Sequence, residues 1–588
     1  MACTSGWKCE ACFHPLRMMQ RDGWSGNDPH HVFHSWCHVK RVVTAFSLVL
    51  LLSAMPVAAA KHPRAAEQTM PYALPRTGFT IHFDFLNSAK DAERLVLFAA
   101  GHGAQILNVV PPPHIWEDSA SLKMLRRIFA LAQSHGIDIV LTRIDASAPS
   151  PQQDLRFNYL YTNILTARGQ LPEGRRTPDY FLATVGNGRY EKWLREETRY
   201  YAEQFSGEPN LAGFSLGLFN EPFVSQRGGL LCYNDSTFSY EIAQYTPFAL
   251  RWWHKWLRKT YSGGIDSINR SYETSFAAID SVPTPHSEED ERFENARAAY
   301  WDFVSCINDW VVTQYEECRT IWHEKRKAPV PFILQFSCYV MEKFEKGRPA
   351  FAALDIFDWM RRADALGLSL YTNGEYPDWG HASVTATVNA LRLGSLLRKP
   401  VFVLEGGNEF NGAVMNAREL RFFADAARTL RPRSVIYEFL KMSYDEHFRH
   451  HRGKIVSRDW KVDDETLRAV MNALEEAKMP VGETKPVYVL DDPGGNKDSD
   501  SALLSRKQLV HTAMETTLVF VPAKALPSIP ASSTCVVLRK EEIPQVEKAL
   551  SGKNVTVLTA DELLQNLQSR QDAPAAPATH RRAAEDGK

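Results

Sequence analysis

Apolar runs alternate with amphipathic stretches along most of the chain. Short apolar runs with β character predict strands, and Leu, Ala and Phe at helical spacing predict helices such as Ala89–Gly101, Leu122–His135 and Arg418–Leu430. Regular alternation of strands and helices favours a parallel sheet covered by helices. Eight strands are predicted, at Phe79–Phe85, Ala104–Val110, Ile137–Asp145, Leu211–Pro222, Phe332–Tyr339, Leu366–Asn373, Pro400–Glu405 and Ser434–Leu440. This count predicts a closed (β/α)8 TIM barrel.

Two of these strands end in a glutamate. The run LAGFSLGLFNEP breaks off at Asn220, Glu221 and Pro222, and KPVFVLEGG places Glu405 directly after an apolar tetrapeptide. The carboxyl ends of barrel strands form the active site, and a partly desolvated carboxyl group there can keep its proton near neutral pH. Two such glutamates predict cleavage of a glycosidic bond. Glu409, four residues past the second run, is the alternative for the second carboxylate.

These residues resemble the pattern of clan A glycoside hydrolases, which are retaining enzymes. The segment Thr246–Phe276, TPFALRWWHKWLRKTYSGGIDSINRSYETSF, is similar to the one that follows the acid/base in family 42 β-galactosidases and their relatives. The resemblance implies that Glu221 is the general acid/base and Glu405 the nucleophile of a double displacement. Pro222 and the surroundings of Glu405 differ from family 42. Besides β-galactosidase, this leaves open a β-mannosidase, an endo-β-glycanase or a non-catalytic carbohydrate-binding barrel.

The resemblance also implies roles around the two glutamates. Asn220 would donate to the sugar hydroxyl next to the anomeric carbon, and Tyr371 would hydrogen-bond the nucleophile. The structural alternatives are an ordinary strand-end turn for Asn220 and a buried core position for Tyr371. Further polar or aromatic side chains on the same face are candidate sugar ligands, with loop hydrogen bonds, ion pairs or packing as their alternative: His82, Asp84, Asn108, Arg143, Asp145, Trp116, Glu375 and Trp379. No cofactor is implied.

The first 60 residues are predicted to be a leader and signal peptide. Lys40 and Arg41 precede the apolar run VVTAFSLVLLLSAMPV, which is followed by an Ala-Ala-Ala cleavage sequence. This arrangement predicts export to the periplasm or the medium, with no membrane contact after cleavage. The long n-region suggests that translation begins at Met18 or Met19, and an uncleaved anchor is the alternative. Cys9-x-x-Cys12 lacks a second ligand pair, so no metal site is expected.

The sequence after the predicted barrel indicates a second domain. The strand-like runs KPVYVLDD, LVFVPA, TCVVLR and VTVLTA predict a smaller α/β domain, flavodoxin-like or glutaminase-like. It resembles the trimerisation domain that follows the barrel in family 42, which implies a homotrimer or another homo-oligomer. The expected divisions are a linker at 61–78, the catalytic barrel at 79–445, a helical connector at 446–483, the small domain at 484–568 and a disordered tail at 569–588.

Charge narrows the class of partner. The 588 residues carry a formal net charge of −1, and no run of Lys and Arg is interleaved with aromatics, so a nucleic-acid groove is not expected. A neutral carbohydrate substrate fits a protein whose net charge is close to zero. Two long excursions, 146–187 and 225–287, leave from the face that carries the glutamates and are expected to wall the pocket.

Apolar and thiol-bearing side chains in the later part of the barrel are expected to be core. Trp252, Trp253 and Trp256 have the spacing of one buried helix face, with surfaces for sugar stacking as the alternative. Five cysteines follow the cleavage sequence, and Cys306 and Cys318 fall on one predicted helix, about 18 Å apart at the helical rise. Free buried thiols are therefore favoured.

Overall fold

A computed structural model describes residues 74–571 with gaps, the longer ones at 144–184, 217–223, 226–230, 338–343, 350–355, 372–387, 408–416, 441–454, 480–484 and 491–516. Eight parallel strands close into a barrel, each paired with its neighbours in chain order and the last with the first. They are β1 Arg76–His82, β2 Ile106–Val110, β3 Asp138–Arg143, β4 Leu211–Leu216, β5 Phe332–Ser337, β6 Ala365–Tyr371, β7 Val401–Gly407 and β8 Ser434–Tyr437. The predicted TIM barrel is confirmed.

Helices begin at residues that supply a cap. Ser88, Asp118 and Thr246 each accept a hydrogen bond from a backbone N–H in the first turn of the helix that follows. The helices up to the small sheet are α1 Ala89–Gly101, α2 Ser119–Ser134, α3 Gly188–Phe205, α4 Pro247–Thr260, α5 Gly264–Tyr272, α6 Ala296–Lys325, α7 Ile356–Arg362, α8 Leu393–Leu396, α9 Ala417–Thr429 and α10 Asp464–Ala477. Short strands at Val224–Ser225, Leu231–Asn234 and Ser239–Ile242 form a separate three-stranded sheet.

The first strand begins at Arg76 rather than at the predicted Phe79. Arg76, Thr77 and Gly78 lack the apolar character on which the prediction rests, yet they pair with the opening residues of β8. Gly78 is required here because a Cβ on it would lie 1.7 Å from the carbonyl oxygen of Ile106.

The barrel interior changes from apolar to polar along the strands. Its apolar layer is formed by Ile106, Val140, Ile333, Ala365, Phe402, Leu404 and Ile436. Side chains alternate along a strand, so the residue two positions after an interior residue also faces inward. Those next inward positions hold Asn108 on β2, Thr142 on β3, Gln335 on β5 and Glu438 directly after β8. The carboxyl-end face of the barrel is therefore lined by polar groups that rest on an apolar base.

A smaller α/β unit follows the barrel. It contains four parallel strands, β9 Val487–Leu490, β10 Leu518–Val521, β11 Thr534–Val537 and β12 Thr556–Thr559. They lie in the order β10, β9, β11, β12. One face of this sheet, with Tyr488 and Val519, joins the main core, and the other, with Val489 and Phe520, packs with Leu563 of the last helix. The helices of this unit are α11 Ile543–Ala549 and α12 Ala560–Gln571.

The expected core positions of the barrel helices are confirmed where they are described. Trp253 and Trp256 are buried, and Trp252 is half-buried against the same core. Cys306 and Cys318 lie on α6 as free, buried thiols. Within the described ranges, none of the helices has both the length and the apolar character needed to cross a membrane.

Candidate active site

Glu405 lies inside the barrel because β7 contains a bulge. Leu368 of β6 is opposite Val403, but the next residue, Ser369, is opposite Glu405, so the pairing skips Leu404. Leu404 belongs to the apolar layer. The extra residue allows Glu405 to face inward as well, where its side chain is 1 % exposed. The predicted strand-end carboxylate is thus placed on the inner wall of the barrel.

Both oxygens of Glu405 accept hydrogen bonds from neighbouring strands. Gln335 Nε2 donates to Oε1 at 3.0 Å, and Ser369 Oγ donates to Oε2 at 2.8 Å. Gln335 is itself held by Ser215, whose Oγ donates to Gln335 Oε1 at 3.0 Å. Strands β4, β5 and β6 therefore contribute to a chain of hydrogen bonds that fixes the orientation of the carboxylate.

The environment of Glu405 works against its ionisation. Burial, together with the negative charge of Glu438, raises its pKa to about 7, although His82 and the hydrogen bonds from Ser369 and Gln335 act in the opposite direction. Near neutral pH this carboxyl group can therefore exist in either protonation state.

The bulge is supported from β1 and β2. Thr80 Oγ1 lies 3.3 Å and Asn108 Nδ2 lies 3.2 Å from the carbonyl oxygen of Leu404, the residue that the strand pairing skips. Asn108 Nδ2 also lies 3.4 Å from Thr80 Oγ1. These side chains bond a backbone group where the ladder is interrupted. The amide nitrogen of Asn108 is thus engaged, whereas its Oδ1 has no partner among the described residues, and its role as a sugar ligand stays a prediction.

A second buried glutamate lies next to Glu405. Glu438 follows β8, and its backbone N–H donates to the carbonyl oxygen of Gly406 at 2.8 Å. His82 Nε2, at the end of β1, is 3.1 Å from Glu438 Oε1. Glu438 is 8 % exposed, and its Oε2 has no hydrogen-bond partner among the described residues. His82, predicted as a sugar ligand, is therefore paired with Glu438 where the last barrel strand meets the first.

Two other candidate ligands have structural partners. Arg143 Nε donates to Glu197 Oε1 of α3 at 2.7 Å, and both side chains are buried. Burial raises the pKa of Glu197, and the charge of Arg143 opposes that rise. Trp116 lies in a 3-10 turn and packs its ring against Tyr200, with ring centroids 5.2 Å apart. Sugar contacts by either residue stay predictions.

Several predicted residues lie outside the described residues. Tyr371 ends β6, but only its backbone is described. No group of His, Cys, Asp and Glu side chains in the described part of the chain could hold a metal ion. The other predicted residues without a described position are Glu221, Asn220, Asp84, Asp145, Glu375, Trp379 and Glu409.

Three residues that surround Glu405 are not among the predicted site residues, namely Gln335, Ser369 and Glu438. Gln335 and Glu438 each come two positions after an apolar interior residue, so polar residues at alternate positions late in a strand were the available signal. Ser369 comes two positions after Gly367, which has no side chain to reveal the inward face. Each of the three lies on a predicted strand, but which one contacts Glu405 depends on strand pairing.

A closed barrel with a buried, hydrogen-bonded carboxylate at its carboxyl-end face has the architecture of a barrel enzyme. The sequence matches the profile of glycoside hydrolase family 42, described as beta-galactosidase, over residues 116–409, which is half of the chain. The protein therefore belongs to glycoside hydrolase family 42. It is a glycoside hydrolase, and its substrate is a carbohydrate. A search of curated proteins finds no match.

Solved structures with the same fold include three beta-galactosidases. The one from the psychrophilic Marinomonas ef1 is 14% identical, with a TM-score of 0.59, over 82% of this chain and 75% of that one. The one from the Antarctic haloarchaeon Halorubrum lacusprofundi is 15% identical, with a TM-score of 0.60, over 82% and 72%. That from G. stearothermophilus is 13% identical, with a TM-score of 0.61, over 82% and 71%. At these identities the likeness concerns the fold.

Proposed function

We propose that the protein is a retaining β-galactosidase in which Glu405 is the nucleophile and Glu221 the general acid/base. The observation that carries the proposal is the Glu405 carboxylate, buried at the carboxyl end of the seventh barrel strand and held by a donor on each oxygen. Membership of family 42 and the beta-galactosidase names of the structural neighbours support the choice of substrate.

The chemistry follows from the two carboxylates. Ionised Glu405 attacks the anomeric carbon while Glu221 gives its proton to the leaving oxygen, which forms a covalent glycosyl-enzyme. Glu221 then takes a proton from water, and the water displaces Glu405 with net retention of configuration. The hydrogen bonds from Ser369 and Gln335 stabilise the ionised form that attacks. Because burial raises the pKa of Glu405, turnover should increase with pH on the acidic side of the profile.

A panel of aryl β-glycosides tests the proposal. The β-galactoside should be hydrolysed faster than the β-mannoside and the β-glucoside, and NMR should show the β-anomer of galactose as the first product. Glu405→Gln should abolish turnover, whereas Glu475→Gln, which makes the same change of charge on the exposed face of α10, should leave it unchanged. Substantial turnover by folded Glu405→Gln would refute the assignment of the nucleophile.

Azide tests the second carboxylate separately. With an aryl glycoside whose leaving group needs no acid, Glu221→Ala should accumulate the glycosyl-enzyme, and azide should restore turnover by giving a β-glycosyl azide. Lack of rescue would count against Glu221 as the acid/base. Preference for the β-mannoside, or for internal bonds of a β-glycan, would replace the substrate but keep the retaining mechanism.

The proposal extends to location and assembly. The signal-like sequence around residues 41–60 supports export to the periplasm or the medium. The small α/β unit supports a homotrimer or another homo-oligomer. Terminal sequencing of the exported protein and light scattering test these two points; an uncleaved terminus or a monomeric mass would contradict them.

A further inference from the structure

Glu438 lies on the interior wall of the barrel, beside the strand that carries Glu405. It follows Ile436 by two residues, and Ile436 belongs to the inward-facing apolar layer. Its backbone is bonded to Gly406, the residue after Glu405. The negative charge of Glu438 contributes to the raised pKa of Glu405. The two carboxylates therefore line adjacent parts of the same interior wall.

The two glutamates differ in how their oxygens are bonded. Glu405 has a described donor for each oxygen, Gln335 for Oε1 and Ser369 for Oε2. Glu438 uses Oε1 for His82, at 3.1 Å, and its Oε2 has no partner among the described residues, although the residue is 8 % exposed. A buried carboxylate oxygen without a donor is costly. Glu197 Oε2 on α3 also has no partner among the described residues, so the unpaired oxygen alone does not distinguish Glu438; its place on the inward-facing wall beside Glu405 does.

We propose that Glu438 is a substrate-binding residue that sets specificity: Oε2 accepts a hydrogen bond from a hydroxyl of the sugar ring that Glu405 attacks, while His82 orients the carboxylate. The inference rests on the proposed glycosidase function and deepens it. An ionised carboxylate accepts hydrogen bonds but cannot donate them, so the matching group on the sugar must be a donor. This favours a neutral sugar with free hydroxyls over a uronic acid, whose own carboxylate would be repelled.

Deoxy substrates identify the hydroxyl. Aryl β-galactosides lacking the 3-, 4- or 6-hydroxyl, with the 2-deoxy compound as a control, are compared with the parent compound by kcat/KM. Removal of the hydroxyl that faces Glu438 should cost wild-type enzyme about 10-fold to 100-fold, the size of a hydrogen bond to a charged acceptor. In Glu438→Gln that loss should fall to a few-fold, and in Glu438→Ala it should vanish. Gln keeps the shape and an oxygen for His82, so the test stands even if the Ala variant does not fold.

Two controls accompany the comparison. The loss caused by removing the 2-hydroxyl should be the same in every variant, since the family resemblance implies Asn220, and not Glu438, as the partner of that hydroxyl. Glu475→Gln, an exposed change of equal charge, should reproduce all wild-type losses.

Equal losses in wild-type and both Glu438 variants at every position would overturn the proposal and leave Glu438 as a structural partner of His82. If wild-type enzyme hydrolyses none of the parent glycosides, the proposed function fails, and this inference fails with it.

Discussion

Replacing Ser369 with alanine should move the acidic limb of the pH profile to higher pH. Ser369 donates to Glu405 Oε2 at 2.8 Å, so the variant removes one of the two described side-chain donors that favour the ionised carboxylate. A hydrogen bond to a charged group contributes about 1.5–3 kcal/mol, and about 1.4 kcal/mol corresponds to one pKa unit. The pKa of Glu405, raised to about 7 in the native protein, should therefore rise further, by about 1 to 2 units.

The measurement is kcat/KM for an aryl β-galactoside across the pH range in which the wild-type enzyme and the variant are both folded. This ratio reports the pKa values of groups in the free enzyme. Ser434→Ala is the matched control: Ser434 is also a buried serine on a barrel strand, but its Oγ lies 3.5 Å from the carbonyl oxygen of Val403 and does not contact Glu405. The acidic limb should move in Ser369→Ala and stay in place in Ser434→Ala. A limb that is unchanged or lower in folded Ser369→Ala would refute the reasoning.

Four further outcomes follow from described contacts. Glu438→Gln should move the same limb to lower pH, since it removes a negative charge that raises the pKa of Glu405; an unmoved limb in the same titration would contradict this. Glu405 loses its proton near pH 4.5 in the unfolded chain but only near pH 7 in the native protein. Between these two values the native state binds more protons, so the free energy of unfolding falls as pH rises. Glu405→Gln has no such group, so its free energy of unfolding in urea should rise relative to that of the wild-type protein, by about 3 kcal/mol between pH 4.5 and pH 7. Arg143→Met should cost about 3–5 kcal/mol by leaving Glu197 buried without its partner, and adding Glu197→Gln should restore part of it in the same unfolding assay. Asn108→Ala should lower kcat with little change in KM, because it loosens the bulge that positions Glu405; a change confined to KM would instead indicate direct sugar binding.

The barrel could be predicted because its signal is local. Each strand is a short apolar run bounded by a helix pattern, and the runs around Phe332 and Val401 lie where strands are found. The start of β1 could not be predicted, since Arg76 is held by pairing with Ser434 rather than by apolar character. Glu405 was predictable for the same local reason, as the first polar residue after an apolar tetrapeptide.

The surroundings of Glu405 depend on contacts between distant parts of the chain. Gln335 and Ser369 precede it by 70 and 36 positions, and nothing near them in sequence marks them as its donors. The skipped residue, Leu404, lies in the continuous run VFVL, where no apolar-polar alternation can show which residues face inward. Arg143 was placed on the correct strand, but its partner Glu197 belongs to a helix, so its ion pair could not be anticipated.

The bulge at Leu404 explains how one strand can supply both a core residue and an ionisable group at the same level of the barrel. In regular pairing, side chains alternate, so a strand with Leu404 inward would turn Glu405 outward toward the helices. The skipped residue brings both inward, and the helix side accommodates the change because Gly406 leaves room for Phe423: a Cβ there would lie 2.2 Å from that ring. A side chain at position 406 would therefore push the strand and displace Glu405 from its two donors. Gly406→Ala should lower kcat through this displacement, even though the residue itself carries no chemical group.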